Sequence, residues 1–410
     1  MIAHREKMAM AMAVGRVAGV GAQGRRVGST GGRPATVVGA RRAPGALRAV
    51  RCVVRMGAGK EMGADRAELQ KFKDGVSRQS LASRPRRNRM DATRRDAFRE
   101  THMSPANFIY PLFIHNKGTN DPIGSMPGQY RLSVTSEDGL MREVGEARAV
   151  GINQVILFPA VEDEFKTPFG EEAYNPEGIV PATIRKLKAR WPDLVIYTDV
   201  ALDPYNSDGH DGIVDPDTGV ILNDETVEQL CKQAVMQAGA GADCVAPSDM
   251  MDGRIGCIRE ALDEAGFESV GIMAYTAKYA SAFYGPFREA LDSNPRFGDK
   301  KTYQMDPGNY REALRELEAD ESEGADIMMV KPGMPYLDII RLLKDNSTVP
   351  IAAYHVSGEY AMIKAAAQNG WVDEKKVVLE ALLCLRRAGA DLILTYYAKQ
   401  AAQWMREDAK

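Results

Sequence analysis

The sequence predicts a (β/α)8 barrel, the TIM-barrel architecture, preceded by an extended N-terminal arm. Two observations support this: eight short apolar runs follow one another after Pro105, and helical patterns lie between most of them. Most runs are continuous rather than alternating, which is typical of parallel strands covered on both faces. Eight such strands over about 300 residues match the barrel in number and length. An open doubly wound sheet is the alternative, but no GxGxxG sequence follows the first run.

Each apolar run is a predicted barrel strand, and the intervening helices end in a recognisable way. Three helical patterns finish in Gly-Ala-Asp at the start of the next run, so glycine is expected to terminate the helix. The predicted strands are NFIYPLFIH (107–115), NQVILFP (153–159), DLVIYTDVALD (193–203), ADCVAPS (242–248), VGIMAYTAK (270–278), ADIMMVKPG (325–333), VPIAAYHVSG (349–358) and ADLILTYYA (390–398).

Charge divides the chain into three predicted parts. Residues 1–55 contain ten Arg and one Lys but a single acid, Glu6, whereas the remainder carries 42 basic and 55 acidic residues. The Arg-rich, acid-poor leader predicts an organelle transit peptide. The alternative is a basic arm that binds nucleic acid, but the acidic body would repel phosphate. Residues 56–105 are charged and turn-rich and are predicted to be an arm, and residues 106–410 the catalytic barrel.

Overall composition excludes several classes of protein. The chain has 410 residues, 44% of them apolar, so it can bury a large core. It contains no run of eighteen uncharged apolar residues, so no membrane span is predicted. Five cysteines occur without a CxxC pair, which favours a reducing compartment.

Six consecutive predicted strands, from the third to the eighth, end in reactive or polar side chains. In a barrel of this type the active site lies at the carboxyl ends of the strands, so these side chains are candidates for one site. They are Asp199 and Asp203 after the third strand, Ser248 and Asp249 after the fourth, Lys278, Lys331, Ser357 and Tyr396.

The two lysines indicate the chemistry. Lys278 and Lys331 each close an apolar run on consecutive strands, and adjacent strands lie roughly 4.8 Å apart. Burial and like charge both lower the pKa of an amine, which leaves a neutral nucleophile near neutral pH. Such an amine can form a Schiff base with a ketone or aldehyde. A single lysine of this kind could equally extend to solvent, but two suggest two carbonyl substrates held together.

The long connection between the fifth and sixth strands is expected to form a lid over the barrel mouth. Its cations could bind a substrate carboxylate, and an arginine could do so through two hydrogen bonds. A solvated basic loop is the alternative. The candidate residues are Arg288, Arg296, Lys300 and Lys301.

The stretch IYTDVALDPYNSDGHDG (196–212) is rich in aspartate and contains one histidine and no cysteine. Carboxylate oxygens favour a hard cation such as Mg²⁺, whereas zinc would be expected to bring thiolates or several imidazoles. The alternative is a loop whose aspartates cap local amides and bind substrate. Local sequence leaves both possibilities open.

Five segments resemble the signature segments of the 5-aminolevulinate dehydratase (porphobilinogen synthase) family. They are VAPSDMMDGRI, AKYASAFYGPFREA, MMVKPGMPYLDI, AAYHVSGEYAMI and LILTYYA, and the resemblance extends from about residue 90 to the C-terminus in the correct order. It implies the condensation of two 5-aminolevulinate molecules to porphobilinogen in haem and chlorophyll synthesis.

The resemblance also implies roles for individual residues. Lys278 would hold the A-site substrate and Lys331 the P-site substrate, each as a Schiff base, while Asp199, Asp203, Asp211 or a bound water would move protons. The implied substrate-binding residues are Arg288, Lys300 and Gln304 for the A-side carboxylate, Ser357 and Tyr396 for the P-side carboxylate, and Ser248 and Asp249 at the mouth.

The family pattern bears on the metal. Zinc-dependent members carry cysteines at the positions of Ala201, Asp203 and Asp211, so this chain resembles the zinc-independent plant, algal and bacterial branch. No zinc is therefore expected, and Asp203 and Asp211 either hold Mg²⁺ or organise the site. Glu316 matches a glutamate that binds an activating, allosteric Mg²⁺ between subunits.

The resemblance further implies a homo-octamer in which each arm embraces a neighbour, located in the plastid stroma, with no nucleic-acid or membrane partner. Two alternatives remain. A class I aldolase would need one reactive lysine and phosphate-binding glycines, and a non-catalytic scaffold would leave the polar strand ends unexplained.

Overall fold

Eight parallel strands close into a barrel in the computed structural model, which describes residues 66–76 and 82–408. Neighbouring strands pair in chain order, and the last pairs with the first through the register Phe108↔Ile393. Each predicted run contains one strand, so the predicted barrel is confirmed. The strands are β1 (Phe108–His115), β2 (Gln154–Pro159), β3 (Val195–Val200), β4 (Cys244–Pro247), β5 (Gly271–Lys278), β6 (Ile327–Lys331), β7 (Ile351–His355) and β8 (Leu392–Thr395).

Burial explains why the strands lack alternation. All eight residues of β1 and the last seven of β5 are buried, because one face of each strand packs inside the barrel and the other against the helices. Three further pairings involve short strands outside the eight barrel strands. Tyr130–Ser133 adds in parallel to β1 and pairs antiparallel with Asp121–Pro122, while Ile213–Val214 and Ile221–Leu222 form a hairpin between β3 and the next helix.

The described residues form twelve α-helices. These are α1 (Arg66–Gly75), α2 (Ala92–Ala97), α3 (Arg142–Ala149), α4 (Ile179–Arg190), α5 (Asn223–Ala240), α6 (Arg254–Glu264), α7 (Gly285–Leu291), α8 (Glu312–Ser322), α9 (Leu337–Asn346), α10 (Ser357–Gln368), α11 (Glu374–Ala388) and α12 (Ala398–Asp408). None of these described helices is both long and apolar enough to cross a membrane.

Glycine ends the helices as the sequence predicts. Gly241 closes α5 at φ 107° and Gly389 closes α11 at φ 128°, and Gly324 follows α8 at φ 99°. These are left-handed backbone conformations in which a side chain would be strained. The Gly-Ala-Asp sequence therefore stops each helix where the next strand begins.

The N-terminal region is only partly described. The predicted transit peptide, residues 1–55, lies outside the described residues. Within the predicted arm, 56–105, the described part contains α1 and α2, and every described residue from 66 to 100 is exposed. Helix α1 belongs to an N-terminal unit that ends at Ala82, and Ser83 begins the unit that contains the barrel.

The connection between β5 and β6 is long and carries α7 and α8. Its first part, residues 279–311, is called the lid segment below. Backbone hydrogen bonds return this segment to the ends of both strands: the Tyr279 amide donates to the Lys331 carbonyl (2.9 Å) and the Met305 amide to the Lys278 carbonyl (3.0 Å). The lid segment thereby lies at the carboxyl end of the barrel.

Candidate active site

Lys278 and Lys331 lie side by side at the carboxyl end of the barrel. Their Cα atoms are register partners at the ends of β5 and β6, and both residues are only 5% exposed. Nine of the fifteen predicted site residues line the cavity that contains the two lysines. The cavity is lined by Asp199, Asp203, Asp211, Ser248, Lys278, Tyr284, Phe287, Arg288, Lys300, Gln304 and Lys331.

Lys331 is surrounded by aromatic rings. Its Nζ lies 4.8 Å from the ring centres of Phe287 and Tyr354, 5.0 Å from that of Tyr284 and 5.2 Å from that of Tyr275. Among the described residues no carboxylate forms an ion pair with it. Burial, followed by the like charge of Lys278, lowers the pKa of Lys331 to about 7. A substantial fraction of this amine is therefore neutral, and nucleophilic, at neutral pH.

Lys278 has different partners. Its Nζ lies 3.1 Å from Asp211 Oδ1 and donates a hydrogen bond to the backbone carbonyl of Ser248, at the end of the neighbouring strand β4. The two lysines thus share one cavity but not one environment, because Lys278 has a carboxylate partner and Lys331 has an aromatic enclosure.

Asp211 is the centre of a buried charge cluster. Its Oδ2 lies 2.6 Å from Lys300 Nζ and accepts a hydrogen bond from the Tyr303 hydroxyl (3.0 Å), and Lys300 also contacts Asp203 at 3.3 Å. Burial would raise the pKa of Asp211, but the ammonium groups of Lys278 and Lys300 outweigh burial and hold that pKa below its usual range. The aspartate-rich loop is therefore tied to the lid segment by ion pairs.

Asp199 and Asp249 are buried carboxyl groups whose pKa values are raised, unlike that of Asp211. Asp199 is 8% exposed, its Oδ1 has no hydrogen-bond partner among the described residues, and burial followed by the charge of Asp203 raises its pKa to about 7. Burial raises the pKa of Asp249 to about 6 although Arg254 opposes the change, and its Oδ1 accepts from the Met251 amide (2.7 Å). Asp199 can therefore both take up and release a proton near neutral pH.

Two lid side chains reach the cavity with unused polar atoms. Gln304 is 4% exposed and its Oε1 has no partner among the described residues, and Arg288 projects from α7 at partial exposure. The other two predicted lid cations lie elsewhere. Arg296 is exposed and lies 3.8 Å from Asp163, and Lys301 is exposed and pairs with Asp299.

Ser357 and Tyr396 are buried but lie outside the lining of this cavity. The Ser357 hydroxyl accepts a hydrogen bond from the Phe287 amide (3.0 Å) and donates to the Phe283 carbonyl (3.3 Å). The Tyr396 hydroxyl pairs with that of Tyr354 at 2.8 Å. Both hydroxyls therefore support residues that contact Lys331.

Glu316 lies on α8 in a separate surface cavity. Oxygen-bearing side chains surround it, and burial raises its pKa even though Arg254 opposes the change. The described residues contain no cluster of three or more His, Cys, Asp or Glu side chains arranged to hold a metal ion. The neighbouring oxygen-bearing residues are Asn223, Asp252, Asp306, Asn309 and Glu312.

Sequence reasoning did not assign the aromatic enclosure of Lys331, nor Tyr303 and its neighbour His210. His210 Nδ1 lies 3.1 Å from the Tyr303 hydroxyl and its Nε2 lies 3.1 Å from the Phe297 carbonyl oxygen. The available signal was the aromatic content of the lid sequence YASAFYGPF, directly after Lys278.

Known proteins similar to this chain form one family. The family model described as delta-aminolevulinic acid dehydratase matches residues 82–404. The chloroplastic delta-aminolevulinic acid dehydratase of Glycine max is 69% identical over 323 residues, which are 79% of this chain and 78% of that protein. The corresponding protein of Selaginella martensii is 70% identical over 325 residues, or 79% and 77% of the two chains. These names confirm the predicted chloroplast location.

A solved structure agrees with these relatives. The delta-aminolevulinic acid dehydratase (porphobilinogen synthase) of Toxoplasma gondii, crystallised with its reaction product porphobilinogen, has 57% sequence identity and a TM-score of 0.79. The similarity covers 80% of this chain and 93% of that one.

Proposed function

Since the chain belongs to the delta-aminolevulinic acid dehydratase family, we propose that it condenses two molecules of 5-aminolevulinate to porphobilinogen with loss of two waters. The observation that supports this mechanism most directly is the pair of buried lysines in register at one cavity. One reactive lysine would suffice for an aldolase, whereas two allow each of two keto-acid substrates to be held as an imine.

Lys331 forms the first imine in this proposal. Its neutral Nζ attacks the ketone carbon of one substrate, and the carbinolamine loses water to give a Schiff base at the P site. The aromatic rings around Nζ favour this step because they exclude water, and loss of hydration disfavours the charged ammonium relative to the neutral amine.

Lys278 holds the second substrate at the A site. Imine formation makes the ketone carbon an electron sink, so a proton can leave the adjacent carbon and a carbon–carbon bond can form. Asp211, between Lys278 and Lys300, supports the positive charge of the ammonium and of the protonated imine. The carbon nucleophile formed at the A site attacks the imine carbon of the P-site substrate. The free amino group of the P-site substrate then attacks the A-site imine carbon and displaces Lys278, and loss of a proton beside the new carbon–carbon bond expels Lys331, so both lysines leave as free amines.

Proton transfer is assigned to Asp199. Its carboxyl has a pKa of about 7, an unpartnered oxygen and a place in the same cavity as both lysines. Such a group exchanges protons efficiently near neutral pH. Asp211, whose pKa is held low, is less suited to accept a proton.

Carboxylate binding is assigned to the lid. Arg288 and Lys300 supply two cations for the A-side carboxylate, and the Gln304 amide, whose Nε2 can donate, lines the same cavity. Ser248 and Asp249 shape the mouth at β4. Ser357 and Tyr396 are assigned to the P-side carboxylate, which requires them to exchange their present partners for substrate.

Mg²⁺ is assigned to Glu316 rather than to the active site. The oxygen-rich surroundings of Glu316 and its raised pKa suit a hard cation that would neutralise neighbouring carboxylates and so stabilise α8. Asp203 and Asp211 already contact Lys300 and Lys278, so we favour the view that they organise the site. The donor set contains no thiolate, which disfavours zinc.

Assembly into homo-octamers is the proposed role of the arm. The described residues from 66 to 100 are all exposed, although Phe72, Met90 and Phe98 are apolar, with exposures of 71%, 63% and 57%. Contact with a neighbouring copy would cover them.

The test is porphobilinogen formation by the full chain and by Lys331→Met and Lys278→Met, with Lys188→Met as the matched control. Lys188 is a partly buried lysine that pairs with Asp243 away from the site. Each site variant should lose at least about a thousandfold in kcat, because an imine cannot form, while the control stays near wild type. Wild-type turnover with retained activity in Lys331→Met would refute the mechanism.

A further inference from the structure

Arg131 makes three short contacts, two of which are to the lid segment. Its Nε donates to the Ala290 carbonyl (2.6 Å), one terminal nitrogen donates to the Glu289 carbonyl (2.8 Å), and the other binds Asp121 Oδ2 (2.6 Å). Ala290 and Glu289 are in the last turn of α7. The Glu289 carbonyl also accepts a long hydrogen bond from the Asp292 amide (3.4 Å). A guanidinium that binds carbonyls of the last turn adds to the few partners they have there, and it opposes the negative end of the helix dipole.

Lys166 makes a second contact with the same end of α7. Its side chain is only 2% exposed, and its Nζ donates to the Asp292 carbonyl (3.2 Å) and lies 3.5 Å from the Asp292 carboxylate. Asp292 follows α7 directly and has a left-handed backbone at φ 50°. Asp163, 2.9 Å away, neutralises Lys166 from the other side.

The backbone of Arg131 is paired with two strands. Arg131 lies in the short strand Tyr130–Ser133, where it is the register partner of Phe113 in β1 and of Asp121 in the antiparallel strand. Barrel strand β1 therefore fixes the backbone from which the guanidinium extends. The other end of α7 is held by Ser357, which accepts the Phe287 amide.

Between these two anchors α7 presents Phe287 to Lys331 and Arg288 to the cavity. We propose that Arg131 and Lys166 form a lid clasp, a pair of positioning residues that hold the carboxyl end of α7 and thereby set the positions of Phe287 and Arg288. Neither residue lines the cavity. This inference rests on the proposed function, since it assigns the lid of that same site.

The test compares Arg131→Gln, Arg131→Lys and Lys166→Gln with Arg148→Gln. Arg148 is a matched control: its side chain is 20% exposed, as is that of Arg131, and it binds one carboxylate, Asp193, at 2.7 Å. The readouts are kcat and KM for porphobilinogen formation, amide hydrogen exchange of residues 283–292, and thermal stability.

In Arg131→Gln we expect kcat/KM to fall about tenfold or more, mainly through KM, because a mispositioned lid weakens substrate binding. Amide exchange in α7 should rise while exchange in the barrel strands stays unchanged. Arg131→Lys, which retains the charge, should fall between wild type and Arg131→Gln. Lys166→Gln should act in the same direction as Arg131→Gln.

A purely structural role predicts something else. It would lower thermal stability and the amount of active enzyme in Arg131→Gln without a change in KM or in local exchange, and that result overturns the clasp. The clasp is also overturned if kcat/KM of Arg131→Gln lies within about twofold of that of Arg148→Gln and amide exchange in α7 is unchanged. If wild-type chain forms no porphobilinogen, the proposed function fails instead, and the exchange measurement still reports on the clasp.

Discussion

Asp211→Asn is the most informative substitution in the charge cluster. Asp211 contacts Lys300 at 2.6 Å, Lys278 at 3.1 Å and the Tyr303 hydroxyl at 3.0 Å, and it is 1% exposed. The substitution keeps the side-chain shape but leaves two buried ammonium groups without their shared anion. Removing one partner of a buried ion pair costs about 3–5 kcal/mol.

Asp203→Asn is the matched control. Asp203 is similarly buried in the same loop, but among the described residues Lys300, at 3.3 Å, is its one ion-pair partner, and Lys300 would keep Asp211. Loss of one hydrogen bond to a charged group costs about 1.5–3 kcal/mol. We therefore expect Asp211→Asn to lower the free energy of unfolding by about 2 kcal/mol more than Asp203→Asn, the difference between the midpoints of the two ranges.

The assay is denaturant unfolding at one fixed protein concentration, because association adds to apparent stability.

The pH dependence of the unfolding free energy gives a second check. A carboxyl whose folded pKa lies below the unfolded value of about 3.9 stabilises the protein above that value, and this stabilisation is lost as pH falls. The difference between wild type and Asp211→Asn should therefore be full above about pH 5 and shrink as the pH falls below the unfolded value towards the lower folded pKa. Two results would contradict the central place of Asp211 in the charge cluster. One is an equal loss of unfolding free energy in Asp211→Asn and Asp203→Asn, and the other is a difference between wild type and Asp211→Asn that grows as the pH falls.

Three further predictions concern single groups. Imine formation at Lys331 in single-turnover trapping should rise with pH through about 7 and then level, and in Lys278→Met its midpoint should move up because a like charge is gone; a midpoint near that of an ordinary lysine in wild type would show that Lys331 is not perturbed. Arg254 and Asp320 form a buried ion pair with a nitrogen–oxygen distance of 2.7 Å. Arg254→Met should destabilise the chain by about 3–5 kcal/mol because it leaves Asp320 unpaired, and addition of Asp320→Leu should restore part of the loss in denaturant unfolding; no recovery would argue against the pair. Asp199→Asn should slow turnover and flatten the limb of the kcat pH profile near pH 7, and an unchanged limb would remove Asp199 as the proton carrier.

The barrel was predictable because its signal is local. Strands buried on both faces produce continuous apolar runs, and the glycines at 241, 324 and 389 mark helix ends within a few residues of each strand. The two lysines were predictable for the same reason. Lys278 and Lys331 end consecutive runs, and neighbouring strands in a barrel must place such residues side by side.

The remainder of the site depends on distant contacts. The rings around Lys331 come from β5, the lid segment and β7, so no single window of sequence contains them. Lys300 meets Asp211 across 89 positions only because the lid segment returns to the barrel mouth. Ser357 has a polar strand-end position, yet its hydroxyl binds the backbone of the lid, a partner that sequence cannot indicate.

The central claim, that both lysines carry substrate, is tested most directly by borohydride reduction of the full chain with 5-aminolevulinate and Mg²⁺, followed by peptide mass mapping. We expect a reduced adduct on Lys331, because burial lowers the pKa of its amine. A second adduct should appear on Lys278 as the substrate concentration rises. Folded protein that forms porphobilinogen yet carries no adduct on either lysine would contradict the mechanism.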